Sequence, residues 1–324
     1  MIGWFLRRLL QSVFVIVAMT IIVFVGVNVI GDPVAILIAP DADQAERLQV
    51  VQSLGLDRPL WEQYGRFLYG ALQGDFGKSF VFGQPALQII LERMPATLEL
   101  AFCAVFLAVT VGVPLGLYAG LRPRSVLAKT VMAGSIFGFS LPSFWVGLLL
   151  IMVFGVQLGW LPSSGRGMTR EFLGVQWSFL TLDGLTHLIL PACNLALFKV
   201  SLVMRLVRAG VREVLPQEYV KFARAKGLTE RRVIFVHVLK NIMIPVVTVI
   251  GLEFGSTIAF SVVTESIFAW PGMGKLIIDS INLLDRPMIV AYLILIVFLF
   301  VTINLVVDLL YTVLDPRVQH NGEG

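Results

Sequence analysis

Side chains able to do covalent or acid–base chemistry are few in this sequence, and their spacing fits no catalytic constellation. The three histidines are scattered. His-Glu-x-x-His, Gly-x-Ser-x-Gly and paired carboxylates within the apolar runs are all absent, which removes metalloprotease and serine hydrolase chemistry. Gly272-Met273-Gly274-Lys275-Leu276 comes nearest to a phosphate loop, yet it lacks that motif's first glycine and its final hydroxyl. Cys103 and Cys193 lie far apart in apolar stretches, without Cys-x-x-Cys or His spacing, and read as small core residues. The expectation is no catalytic residue, no metal ligand set and no enzyme.

The polar residue that stands out is Glu253. It lies eight residues past Pro245, roughly 12 Å into an apolar run at about 1.5 Å per residue. An acid at the centre of a membrane span costs about 2.5–3.5 kcal/mol on insertion scales, so something must compensate it. Two readings stand side by side: Glu253 lines a path and attracts a cation, or it is protonated or hydrogen-bonded at a helix interface. Lys199, one to two turns from Arg205, is expected to snorkel to the nearer surface.

The elements that must carry these residues are membrane spans. The chain has 324 residues, 57% of them hydrophobic and only 14% charged, against about 25% charged in soluble domains, so it has too few polar side chains to cover a soluble surface. Leu9 to Ile30 is uncharged over 22 residues, a helix of roughly 33 Å against a hydrocarbon core of about 30 Å. Its Arg7-Arg8 flank resembles the basic start of a signal peptide, but the apolar core is too long and no small-x-small site follows promptly, so this helix is expected to be retained. Further apolar runs cover Thr97 to Ala119, Thr130 to Phe154, His187 to Met204, Ile242 to Val263 and Met288 to Thr312, giving six spans. Pro114, Pro142 and Pro191 are candidate kinks, although proline is common in membrane helices.

Charge gives the orientation. With both termini in the cytoplasm, 15 of the 25 Lys and Arg residues fall inside, nine of them between Arg205 and Lys240. The acids concentrate outside. This follows the positive-inside rule and accounts for the formal charge of +4 and the pI near 9.2 without a nucleic-acid partner. Residues 31–96 form a long outer loop in which Ala45 to Leu54 reads as a short surface helix. Residues 205–241 form a long basic inner loop. No internal repeat or low-complexity tract is evident.

The inner loop is punctuated like structure. Pro216 suits a first helical position, Glu218 the positive helix end, Arg224 and Lys226 the negative end, and Gly227 a left-handed stop. A second helix, capped by Thr229 with Glu230 in its first turn, is expected to run towards Pro245. Tyr219, Phe222 and Ala223 share one side, with Lys221 and Arg224 elsewhere. From the residues alone, an amphipathic helix resting on anionic lipid accounts for this pattern as well as any other reading.

Here the sequence resembles the permease subunits of ATP-binding cassette importers of the dipeptide, oligopeptide and nickel type. The motifs that carry the resemblance are Glu218-Tyr219-Val220-Lys221-Phe222-Ala223-Arg224-Ala225-Lys226-Gly227-Leu228, His237 to Asn241, Ile244 to Thr248, Thr264 to Gly274, Asn304 to Tyr311 and Asp315-Pro316-Arg317. Gly31-Asp32-Pro33, Leu54 to Asp57, Gly74-Asp75-Phe76-Gly77 and Ala96-Thr97-Leu98-Glu99 are similar to family signatures in the outer loop. Tyr219 stands where many sugar importers have Ala, and the interval from Gly227 to Pro245 is longer than theirs, which favours the peptide branch.

The resemblance implies an all-α membrane protein of the type I importer permease fold, with six transmembrane helices and cytoplasmic termini. Residues 1–93 would hold the first helix and the periplasmic loop, 94–312 the permease core and 313–324 a cytoplasmic tail. Glu218, Tyr219, Phe222, Ala223, Arg224, Ala225, Lys226 and Gly227 would couple to an ATPase subunit, with Ala223, Ala225 and Gly227 permitting close approach, and Glu253 is the candidate path residue. The implied partners are a second homologous permease, two cytoplasmic ATP-binding subunits, which would hold ATP and magnesium while this chain binds no cofactor, and an outer substrate-binding protein. The implied location is a bacterial or archaeal cytoplasmic membrane. The implied cargo is a short peptide, with nickel or glutathione as alternatives on the same machinery. An ion-coupled secondary transporter using Glu253 as its coupling carboxylate is the reading of another class, and the motif-bearing inner loop argues against it.

Overall fold

A computed structural model describes residues 2–29, 43–53 and 57–314. The described chain is almost wholly helical: α1 (Ile2–Val29), α2 (Gln44–Ser53), α3 (Leu60–Leu72), α4 (Ala86–Leu121), α5 (Val126–Ser140), α6 (Ser143–Leu150), α7 (Leu182–Val214), α8 (Glu218–Ala225), α9 (Glu230–Arg232), α10 (Lys240–Phe260), α11 (Val262–Ile267), α12 (Met273–Asn282) and α13 (Arg286–Leu314). π-helical turns extend α6 through Ile151–Gln157 and join α9 to α10 through Val233–Leu239. β1 (Arg170–Phe172) and β2 (Val175–Trp177) form an antiparallel hairpin with Arg170 opposite Trp177.

Among the described residues, five helices are long and apolar enough to cross a membrane, or six if the bent pair α5–α6 counts as one span. The pair turns by 106°. Pro142 causes the break: the residue before a proline is pushed out of the helical region, and Leu141 accordingly sits extended at ψ 137°. Pro191 and Pro245, by contrast, stay inside α7 and α10. The helix that begins at Glu230, expected to run towards Pro245, passes through that proline. It continues into the span and reaches Phe260 as one run of 31 residues.

The chain divides into two compact units, and α4 and α13 each contribute to both. One unit holds residues 1–95 and 272–302. In it Phe24 of α1 meets Tyr64 edge-on at 5.4 Å and stacks on Phe67 at 5.8 Å, and Thr20 bonds the Tyr64 hydroxyl at 2.9 Å. The expected surface helix at residues 45–54 is α2, whereas α3 was not anticipated. Asp285, wholly buried just before α13, accepts hydrogen bonds from the Ser79 hydroxyl and from the Phe80 backbone at 3.1 Å, which pins the 75–85 loop.

The other unit holds residues 96–271 and 303–324. Its packing rests on Gly112, Gly116 and Gly120, one per turn of α4, which let that backbone press against α7. A Cβ at Gly116 would lie 2.6 Å from the Met204 carbonyl oxygen, and one at Gly120 2.6 Å from Val211 Cβ. This is the small-xxx-small spacing that membrane helices use for close approach. Ala108, Val203, Val207, Val211, Val233, Val238, Ile242 and Val246 form the adjoining core with α8.

Candidate coupling helix and intramembrane ion pairs

α8 is eight residues long, about 12 Å at 1.5 Å per residue. Gln217 is extended just before it, so Pro216 precedes the helix rather than occupying its first position. Gly227, at φ 77°, ends it, with its N–H bonded to the Arg224 carbonyl at 2.9 Å and Leu228 N–H to that of Ala223 at 3.3 Å. A left-handed residue at this place costs little only for glycine. Val220 and Ala223 turn inward into the core shared with α7 and α10, and Leu228 packs beside them. Tyr219, Lys221, Phe222, Arg224, Ala225, Lys226 and Gly227 face outward, and Phe222 is 61% exposed. Of the three small residues, Ala223 therefore serves the chain's own core, while Ala225 and Gly227 lie on the outer surface.

The outward side chains are held in place. Arg224 makes a bidentate pair with Glu230 at 2.8 and 3.3 Å, Lys226 Nζ stands 4.5 Å above the Phe222 ring, and Lys221 bonds Glu218 at 2.8 Å. The Asn241 amide donates to the Tyr219 hydroxyl at 3.1 Å, tying α8 to the start of α10. The result is a short basic and aromatic ridge whose underside is locked into two long helices.

Glu253 finds its compensation on α7. Lys199 donates to the Glu253 carboxylate and to Ser256 Oγ at 3.1 Å, and Ser256 also donates to that carboxylate at 3.2 Å. Lys199 thus does not reach for the surface, as the sequence suggested, because a fixed anion on the neighbouring helix offsets its charge better than a bent path to water. The side chains remain 18% and 32% exposed respectively. Arg205, the neighbour that suggested snorkelling, lies instead 4.7 Å over the Phe139 ring.

In a second charged cluster the carboxylate is sealed. The Glu99 carboxylate, 0% exposed, accepts from Arg166 Nη2 at 2.8 Å and from the Phe179 backbone N–H at 2.7 Å. Arg166 further donates to Ser178 Oγ at 2.9 Å and the Gln176 carbonyl at 2.7 Å, and lies 6.0 Å from the Trp270 ring centroid. Trp270 Nε1 donates to the Ala96 carbonyl at 2.9 Å. Thr97 and Ser261 both donate to buried Glu265 at 2.8 Å, and Asn194 Nδ2 donates to Thr264 Oγ1 at 2.9 Å. The Ala96–Glu99 and Thr264–Trp270 motifs, 160 or more residues apart, therefore converge. Glu99 and Glu265 fall within motifs quoted from the sequence, but neither they nor Arg166 were read as paired, although a charge at the edge of an apolar run is a signal to search for its partner.

The glycine-rich segment at 272–276 builds no phosphate cradle. Met273, Gly274 and Leu276 are buried at the start of α12, and Lys275 bonds Asp279 one turn on at 2.6 Å. Among the described residues, no three His, Cys, Asp or Glu side chains are grouped to hold a metal ion. What the described residues build is a set of long packed helices joined by ion pairs, with one short exposed helix beside them.

Comparison with known proteins agrees. Residues 112–320 match the family described as "Binding-protein-dependent transport system inner membrane component", and residues 1–101 match the corresponding N-terminal membrane component family. The dipeptide transport system permease protein DppB of Escherichia coli K12 is 38% identical over 339 residues, covering 99% of each chain. The oligopeptide transport system permease protein AppB of Bacillus subtilis is 39% identical over 322 residues, covering 99% of this chain and 100% of the relative. An inward-facing structure of the MetNI methionine transporter shares the fold, with a TM-score of 0.53 at 17% identity over 71% of this chain and 97% of its own. With two family matches that together span nearly the whole sequence and relatives alike from end to end, this chain belongs to the inner-membrane components of binding-protein-dependent transport systems.

Proposed function

We propose that this permease carries short peptides inward, paired with a second homologous permease, with both termini in the cytoplasm. Two cytoplasmic ATPases drive it, and an outer substrate-binding protein loads it. The observation that carries the cargo assignment is end-to-end similarity to a dipeptide permease at 38% identity. ATP and magnesium belong to the partner subunits, and this chain contributes half of the path and one coupling helix.

The coupling helix is α8. Glu218, Tyr219, Phe222, Arg224, Ala225, Lys226 and Gly227 meet the ATPase, while Ala223 with Val220 fixes the helix to α7 and α10. Because Val207, Val211, Val233, Val238 and Ile242 share that core, a push on α8 is delivered to both spanning helices together. α7 in turn bears on α4 through the three-glycine contact, so these helices respond as a packed group. Glu253, paired with Lys199, lies on the path. The motif-bearing inner loop that forms α8 disfavours the secondary-transport reading.

The test is reconstitution of the complete complex with its cognate binding protein in proteoliposomes, challenged with dipeptides, longer peptides, glutathione and nickel. The expected result is uptake and ATPase stimulation by the peptides, unaffected when the proton gradient is collapsed. Stimulation by nickel or glutathione alone reassigns the cargo. Uptake that follows the proton gradient while ATP is irrelevant overturns the mechanism.

A further inference from the structure

Two charge clusters lie among the long helices of the same unit, and they differ in one respect. In Glu99–Arg166 the carboxylate is fully enclosed, with Arg166, 13% exposed, held by Ser178 and Gln176 beside Trp270. Lys199–Glu253 keeps an open side on both partners. Ionisable groups in spanning segments avoid lipid and face the bundle interior or a water-filled cavity, so the open side of this pair addresses aqueous space or a partner's surface.

We propose that Lys199 and Glu253 form a subsite that reads the two termini of a zwitterionic peptide, Glu253 taking the ammonium and Lys199 the carboxylate. This rests on the peptide-import reading above and extends it to the class of peptide, one with both ends free. The physical argument is charge conservation at low dielectric. A ligand bearing only one charge can satisfy one member of the pair and strands the other, whereas a zwitterion replaces both contacts at once. The termini of a di- or tripeptide stand roughly 6–10 Å apart at about 3.5 Å per residue, a gap that two long side chains now in contact open by rotamer change. Ser256, bonded to both Lys199 and Glu253, holds whichever member waits unpaired during the exchange. Peptide side chains play no part in this contact, so it suits a carrier of many sequences.

The experiment uses the reconstituted complex with its binding protein and three probes: dialanine, its C-terminal amide and N-acetyl-dialanine. Each variant's uptake is divided by that of the wild type for the same probe, so selection by the binding protein cancels. In Lys199→Met/Glu253→Gln, dialanine uptake is expected to fall by about tenfold, the worth of roughly one charge-assisted hydrogen bond, and Lys199→Arg/Glu253→Asp restores most of it. In Lys199→Met alone the amide gains relative to dialanine, and in Glu253→Gln alone the N-acetyl peptide gains. If the double neutral variant transports as well as the wild type while the single variants fail, the pair is merely self-neutralising and the proposal is wrong. Loss of the double variant from the membrane likewise assigns the pair to folding and overturns it. A wild-type complex that imports no free dipeptide defeats the functional reading as well, which separates that failure from failure of the subsite alone.

Discussion

Glu99 and Glu253 are both carboxylates held by a cation from a distant part of the chain, yet their surroundings assign them different work. The Glu99 side chain is fully enclosed and has its lone pairs met by a guanidinium and a backbone amide. Glu253 has one lysine, one hydroxyl and an open side. A sealed pair is expensive to disrupt because the survivor is left uncompensated, so it fixes one arrangement of the elements around it. An open pair can exchange partners with a solute at far lower cost. Exposure, more than charge, separates scaffold from candidate path.

Arg166→Met should give the largest effect. It strands Glu99 and removes the bonds that Arg166 donates to Ser178 and to the Gln176 carbonyl of β2, at a cost of about 3–5 kcal/mol. The measurement is membrane abundance and thermal inactivation of the purified complex, and near-normal stability would break the comparison. Glu253→Gln should reverse the pattern, with transport reduced by about tenfold and thermal stability shifted by no more than about 1 kcal/mol, because water or a partner reaches the remaining lysine. A stability loss equal to that of Arg166→Met would place both pairs in the scaffold. Thr97→Val, which removes one of the hydroxyls on Glu265, should have the smallest effect of the three, about 1 kcal/mol in stability with the transported species unchanged.

The sequence made the spans visible because apolar length is read directly from residues, and it made α8 visible because Glu218, Arg224 and Gly227 punctuate it. Gly227 takes the left-handed conformation that its position required. Pairings were less visible. Lys199 and Glu253 are 54 residues apart, Arg166 and Glu99 67, and hydrophobic periodicity does not say which helices become neighbours. Pro142 breaks its span while Pro245 stays within a continuous helix, and residue type alone does not tell the two apart. The glycines at 112, 116 and 120 drew no notice in the sequence, since only the partner helix gives their spacing its meaning.

In the proposed mechanism α8 is the part that receives work from ATP hydrolysis. Gly227 is well suited to test this, since a Cβ there meets nothing within 4 Å and an aspartate tolerates the left-handed conformation better than most residues. The decisive measurement is the ratio of peptide imported to ATP hydrolysed by the reconstituted Gly227→Asp complex with loaded binding protein. The account predicts normal amounts of permease in the membrane and a ratio reduced by about tenfold or more, the loss of at least one contact's worth of coupling. A ratio equal to that of the wild type would contradict it.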